Sequence, residues 1–260
     1  MNKKKPYSID YLIEIMNDLR TKCPWDQKQT LDSLKKLTIE ETYELIDAID
    51  KKNFNEIKEE LGDLLLHIVF YSKIASEKKK FDFHDVIKTL IEKLIYRHPH
   101  VYGDTVVSGI DDVKNNWEKL KTKNKKKGVL SGVPKNLPTL IKASRVQDKV
   151  ASIGFDFPNI TIVINKIKEE FDEFNSALLS KNKADIEEEF GDILFSLINY
   201  SRHIGIDSNE SLKKSTEKFI KRFRNVEKML SNNQNIDFSN YSVMELNSIW
   251  EQAKKMKSFK

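Results

Sequence analysis

The sequence has one cysteine, Cys23, so an internal disulfide framework and a cysteine-rich zinc site are both excluded. Glycine and proline are scarce, eight and six in 260 residues, and they fall mostly between periodic segments. No apolar run reaches about 18 residues, so no transmembrane helix is expected. The opening "MNKKKPY" is basic but is not followed by an apolar stretch. No secretory signal is expected from it, and the cytoplasm is the expected compartment. No Gly-x-x-x-x-Gly-Lys-Ser/Thr loop occurs, which disfavours a P-loop kinase or motor ATPase. Period-two alternation is nearly absent, and with it the signature of strands.

What the chain does have is helical periodicity. Apolar residues make up 39% and charged residues 33%, enough for a packed core and against general disorder. Amphipathic patterns predict helices over 8–22, with Ser8 as N-cap, and over 30–51, 54–78 and 83–97. "CPWD" at 23–26 breaks the first, and "HPHVYG" ends the fourth. Further helices are predicted over 138–151, 159–180, 184–203, 209–230 and 240–257. The reading is all-α: a first module over 1–115, a basic linker over 116–136 and a second module over 137–260. Trp117 is expected to anchor a short helical piece within the linker. The formal net charge is +5, and the run "KLKTKNKKKG" at 119–128 reads first as solvated linker and second as a nucleic-acid contact.

The two modules repeat one acidic pattern. "EETYE" at 40–44 and "ELGD" at 60–63 return as "EEFDE" at 169–173 and "EFGD" at 189–192, displaced by 129 residues. Glu40, Glu41, Glu44, Glu60 and Asp63 thus correspond to Glu169, Glu170, Glu173, Glu189 and Asp192. "YS" recurs at 71–72 and 200–201 in the same register, and Lys73 matches Arg202. Trp25–Asp26 and Phe155–Asp156 correspond one residue out of register. A repeat of this length means two related modules, not a solenoid.

At about 100° per residue, Glu169, Glu170 and Glu173 share one narrow arc beside an apolar stripe of Phe171, Phe174 and Leu178. Glu189 and Asp192 lie about 60° apart on the next helix. The short connection "LSKNKAD" returns that helix antiparallel, so both sets can converge between helices. Converging carboxylates repel until protons or a cation relieve them. An oxygen-only donor set favours Mg²⁺, or Mn²⁺, over zinc. Such ions neutralise phosphoryl oxygens and activate water, which leads from this spacing to phosphoanhydride hydrolysis. Glycine beside the aspartate, Gly62 and Gly191, costs about 1 kcal/mol in a helix relative to alanine. Close helix packing near a site is the expected reason to keep it.

With these residues the chain resembles the MazG family of nucleoside triphosphate pyrophosphohydrolases in its two-module bacterial form. The resemblance covers nearly the whole chain. It runs through "LRTKCPWDQKQTLDSL" at 19–34, the first acidic block, "YRHPHVYGD" at 96–104 and "KASRVQDKVASIGFDFP" at 142–158. It continues through the second acidic block, "KFIKRF" at 218–223 and "WEQAK" at 250–254. The resemblance implies tandem all-α modules and a homodimer. It implies Mg²⁺-dependent cleavage between the α- and β-phosphates of nucleoside triphosphates, with broad base use, giving a monophosphate and pyrophosphate. It also implies a role in nucleotide-pool cleaning and, more distantly, in stress or toxin–antitoxin responses.

By the same resemblance, activity lies chiefly in the second module. Glu170, Glu173, Glu189 and Asp192 are implied as metal ligands there, with Glu169 beside them orienting a water or second ion. Glu41, Glu44, Glu60 and Asp63 are the corresponding set in the first module, which either binds metal and turns over slowly or serves as scaffold. Nucleotide contacts are implied at Lys166, Ile167, Lys168, Glu169 and Glu170, and at Asp185, Ile186, Glu187 and Glu188. Others are implied at Lys218, Phe219, Ile220, Lys221 and Arg222, and at Trp250 and Lys254. Lys218 and Arg222 are four apart, hence on one helical face suited to phosphate oxygens. Trp250 reads either as a base-stacking surface or as the core anchor of its helix.

Lys93 and Arg97 repeat that spacing in the first module, which has no following "WEQAK" segment. His98 and His100 are candidates for phosphate or metal, or simply loop residues. His67, His203 and Cys23 read as structural. Three rival readings remain: a basic nucleic-acid-binding protein, an acidic-faced scaffold, and a narrower pyrophosphohydrolase for particular deoxynucleotides or modified nucleotides. A nucleic-acid partner is disfavoured, because it leaves the duplicated carboxylates unexplained.

Overall fold

The computed structural model describes residues 7–110, 112–113, 116–117, 120, 128–230 and 236–256, and among them there is no strand. The chain divides into two compact units, Met1–Gly109 and Ile110–Lys260. Of the basic run at 119–128, only Leu120 and Gly128 are among the described residues. Residues 116–117 are helical, Trp117 included. No helix among the described residues is long and apolar enough to cross a membrane.

The first unit contains α1 (Ile9–Lys22), α2 (Pro24–Lys28), α3 (Leu31–Asp50), α4 (Phe54–Glu77), α5 (Phe83–Arg97) and α6 (Pro99–Tyr102). The sequence punctuates these helices at their starts. Ser8 caps α1 by accepting from the Tyr11 amide at 3.2 Å, and Thr30 and Ser33 form a capping box at α3. Two helices depart from the sequence reading. "CPWD" does break α1, but Pro24 then opens the five-residue α2, and Pro99 opens the four-residue α6. Proline lacks the amide that a first helical turn leaves unpaired, so the residue that ends one helix can begin the next.

α3 and α4 pack along each other, with α1 and α5 laid against α4. Met16, Leu34, Val69, Phe70, Ile74 and Phe83 form the core. Full burial of a side chain such as Leu34 or Phe70 contributes about 1.5–3 kcal/mol. Arg20 ties the end of α1 to α4 through paired bonds to Glu77, at 3.0 and 2.8 Å. The same guanidinium donates to the carbonyls of Asp26 and Gln29, which holds α2 in place.

The second unit contains a 3-10 turn (Val129–Gly132) and α7 (Thr139–Ala151), α8 (Ile160–Ser180), α9 (Lys183–His203) and α10 (Ser208–Leu230). A second 3-10 turn (Phe238–Asn240) and α11 (Val243–Lys255) complete it. α8 and α9 pack along each other, as α3 and α4 do. Asn159 and Asn182 cap α8 and α9. Lys181, at φ 58°, makes the left-handed exit from α8 that turns the chain back. Val163, Ala177, Ile193, Ile198, Val226 and Ala253 are its buried apolar residues.

The expected reason for Gly62 and Gly191 does not hold. A Cβ built at either position meets nothing within 4 Å. The helix pairs make contact on other faces, so these glycines leave open space beside the carboxylates.

Candidate active site

In the second unit, α8 and α9 bring three carboxylates together. Glu170, Glu173 and Glu189 each offer an oxygen within 4.8 Å of the other two. Glu170 is only 5% exposed, which is unusual for a glutamate and requires a partner. That partner is Lys166, one turn earlier on α8. Its Nζ lies 2.8 Å from Glu169 and 2.9 Å from Glu170. Hydrogen bonds to these two carboxylates hold the lysine well above its ordinary pKa. Glu169 is thus turned toward Lys166. Burial pushes the Glu189 carboxyl above its ordinary range, and the charges of Glu173, Asp192, Glu170 and Glu188 push it further. Asp192 is close enough to act on Glu189 but is not among the three whose oxygens converge.

The first unit repeats the arrangement with a different trio, Glu41, Glu60 and Asp63. Here the aspartate joins, and Glu44 contributes through its charge. Burial raises Glu41 above the ordinary carboxylate value, and the charges of Asp63, Glu44 and Glu40 raise it further; burial raises Glu60 likewise, with the charges of Glu44, Asp63, Glu41 and Glu59 adding to it. Position 37, which corresponds to Lys166, is Leu37, packed against the apolar core. The first cluster therefore has no lysine where the second has one.

The remaining predicted contacts of the second unit lie in three places. Ile167 and Ile186 are half-buried, and Lys168, Glu187 and Glu188 are exposed. Asp185 accepts from the Asn182 side chain at 2.8 Å at the start of α9. Lys218, Lys221 and Arg222 line a cleft of about 340 Å³ with Lys214 and Lys254, between α10 and α11. Phe219 and Trp250 pack together with ring centroids 5.2 Å apart, and Phe223 and Phe238 extend the stack. Ile220 is 42% exposed. Cations brought to one cleft suit a polyanion. The cleft in the corresponding helix region of the first unit is lined by Phe81, Asp85, Val86, Thr89, Leu90 and Lys93, and is mostly apolar.

Lys214 and the aromatic stack were not singled out in the sequence. The stack had a signal: Phe219 and Phe223 are one turn apart on α10. Of the histidines, His67 is buried beside Tyr71, and His203 reaches Asp156 at 3.1 Å.

Comparison with known proteins matches the family described as MazG nucleotide pyrophosphohydrolase domain at residues 29–102 and 159–227. A protein of Escherichia coli (strain K12) named nucleoside triphosphate pyrophosphohydrolase is 36% identical over 256 residues, covering 95% of this chain and 97% of that one. A Thermotoga maritima protein named nucleoside triphosphate pyrophosphohydrolase/pyrophosphatase MazG is 43% identical over 251 residues, covering 95% of each. The crystal structure of a mazG-related protein from Thermotoga maritima aligns with 44% of this chain and 99% of its own, at 24% identity and a TM-score of 0.39.

Proposed function

Because the chain belongs to the MazG family of nucleotide pyrophosphohydrolases, a hydrolase family acting on nucleoside triphosphates, we propose that it cleaves the α–β phosphoanhydride. A water attacks the α-phosphorus, the bond to the bridging oxygen breaks, and the products are a nucleoside monophosphate and pyrophosphate. The observation that carries this reading is the convergence of Glu170, Glu173 and Glu189 within 4.8 Å in a unit that also holds a five-cation cleft.

The donor set fits a hard divalent cation. It is all oxygen, it converges, and its buried member is neutralised by a lysine. Glu170, Glu173 and Glu189, with Asp192 beside them, would hold Mg²⁺ or Mn²⁺. The ion's contribution when bound is to neutralise phosphoryl oxygens and activate a water. The chain supplies the rest. Lys218, Lys221, Arg222 and Lys254 meet the phosphate charge, the arginine forking across two oxygens. Trp250 holds α11, and so Lys254, against α10 through Phe219. A cluster carboxylate takes the attacking water's proton. The second module is favoured as the principal site because Leu37 stands at the position of Lys166 in the first, and the first unit's cleft is mainly apolar with Lys93 as its one lining cation among the described residues.

A homodimer is supported by a repeated exposed stripe. Leu61, Leu65 and Ile68 on α4 are 53%, 40% and 45% exposed, and Phe190, Leu194 and Leu197 on α9 are 52%, 44% and 42% exposed. These are corresponding positions in the two modules. Apolar stripes of that size on both copies suit burial against a second chain.

The reaction is tested by incubating the protein with ATP and Mg²⁺ and following products by phosphorus NMR. AMP and pyrophosphate are expected, with none formed in excess chelator. Orthophosphate as the first product would overturn the cleavage position.

The raised carboxylates give a pH dependence of known sign. The folded chain holds protons on Glu41, Glu60 and Glu189 more tightly than the unfolded chain, whose glutamates titrate near 4.5. Ionising them in the metal-free protein therefore costs stability above their folded pKa, and acidification toward 4.5 removes that cost. A bound divalent cation needs the ionised forms. The thermal midpoint with Mg²⁺ should exceed that in chelator most at neutral pH, and the gap should close as pH falls toward that value. A gap that stays constant or widens on acidification would contradict the metal assignment.

A further inference from the structure

Of the five cations that line the cleft between α10 and α11, Lys214 stands outside the contacts proposed for a triphosphate. On α10, Lys214, Lys218 and Arg222 follow at i, i+4 and i+8, and Lys221 lies between the last two. At 3.6 residues per turn all four fall within an arc of about 100°, so they form one row along the cleft. At 1.5 Å per residue the row is about 12 Å long, roughly twice the distance from the first to the last phosphorus of a triphosphate. The side chain of Lys214 is 71% exposed, so a solute can reach it.

In the free chain Lys214 Nζ lies 3.2 Å from Glu210, one turn earlier on α10. An exposed pair of this kind is weak and screened by water, so a phosphate oxygen can take the place of the carboxylate. One other carboxylate, Glu217, lines the cleft. The first unit has the same place without the charge. Lys93 corresponds to Lys218, which makes Thr89 the counterpart of Lys214, and both Thr89 and Lys93 line the first unit's cleft. The position thus faces a cleft in both units, and only the second puts a cation there.

We infer that Lys214 receives a fourth phosphate, so that the cleft takes nucleoside 5′-tetraphosphates as well as triphosphates. Lys218, Lys221 and Arg222 meet the inner phosphates of the chain. The terminal phosphate reaches Lys214 and displaces Glu210 from it. Water attacks the α-phosphorus, the bond to the α–β bridging oxygen breaks, and that oxygen leaves with the remaining chain. A tetraphosphate then gives a nucleoside monophosphate and tripolyphosphate. The inference rests on the proposed function for its reaction and adds the length of phosphate chain that the cleft reads.

The test uses the full-length chain in chelator and two inorganic probes, tripolyphosphate and tetrapolyphosphate, with binding followed by titration calorimetry. Neither metal nor turnover is needed. The wild-type chain should bind tetrapolyphosphate about two- to fivefold more tightly than tripolyphosphate. Lys214→Gln should bring that ratio to about one. Glu210→Gln frees Lys214 and should widen the ratio, a gain that misfolding does not imitate. Lys183→Gln removes the same charge at the start of α9, where the side chain is 90% exposed, and should leave the ratio unchanged. With Mg²⁺, adenosine 5′-tetraphosphate should yield AMP and tripolyphosphate. Lys214→Gln should lower its kcat/KM about two- to fivefold and leave that of ATP within about a factor of two.

Equal binding of the two chains by wild type would overturn the inference. So would a ratio that survives in Lys214→Gln because both chains weaken alike, since the lysine would then serve the triphosphate. A ratio unmoved by Glu210→Gln, or abolished by Lys183→Gln, would overturn it too. A preference for the longer chain without pyrophosphate release from ATP would defeat the proposed function and leave the assignment of Lys214 standing. Pyrophosphate release from ATP, with the two chains bound alike, would defeat the inference alone.

Discussion

Glu173→Gln is expected to lower pyrophosphate release by about a hundredfold or more, and Glu44→Gln, its counterpart in the first module, to leave the rate within about a factor of three. Replacing a residue that only orients a metal ligand already costs about 10–100-fold, and Glu173 is placed as a ligand itself. Glutamine keeps the shape of the side chain but removes the charge, so the lost term is electrostatic. Glu173 is exposed, and the fold should not depend on it. Two observations argue for the asymmetry. Glu44 stands outside the converging trio of its own module, whereas Glu173 is inside its trio. The first module's cleft is mostly apolar, with one cation, Lys93, and one carboxylate, Asp85, where the second presents five cations and one carboxylate, Glu217. Equal losses from the two variants would overturn the module assignment.

Lys166→Met is expected to lower stability in chelator by about 2 kcal/mol and to restore most of it with Mg²⁺. Lys166 is the internal counter-ion of a carboxylate that is only 5% exposed. Removing it leaves Glu170 to desolvate alone or to take up a proton. The figure is set below that for a fully buried pair because the lysine is itself 35% exposed and partly screened by water. The same change removes a cation that competes with the metal, so divalent affinity should rise. Turnover should fall, since the freed lysine would otherwise meet the substrate's phosphates. A thermal midpoint in chelator unchanged from wild type, or a weaker affinity for the divalent ion, would contradict this role.

Much of the architecture was legible because helices announce themselves at both ends and along their length. α5 spans the predicted 83–97, and α1, α3, α4 and α7 to α10 fall within a residue of expectation at each end. The expected 240–257 segment begins at Val243, where Ser242 and Glu245 form a capping box. The short α2 and α6 were not legible, because proline reads as a break before it reads as a start.

The carboxylate clusters were legible as arcs on neighbouring helices, since the 3.6-residue period and a short return fix which faces meet. Which three oxygens converge was not, because that depends on rotamers and on the exact approach of the helices. The two modules accordingly choose different trios from one pattern. The role expected for Gly62 and Gly191 failed for a related reason: period alone does not say how near two backbones come. The burial of Gln147 was the least legible feature. In "RVQDKV" a glutamine beside an aspartate reads as surface, and only tertiary packing reveals it as 4% exposed.

α8 and α9 are expected to grip a divalent cation against a triphosphate. Crystals of the chain grown with Mn²⁺ and a triphosphate whose α–β bridge is a methylene group test it most directly, through the anomalous scattering of the manganese. Manganese is expected bound by Glu170, Glu173 and Glu189, with phosphate oxygens completing its shell. Nucleotide bound with these carboxylates turned apart into solvent, and no manganese among them, would contradict it.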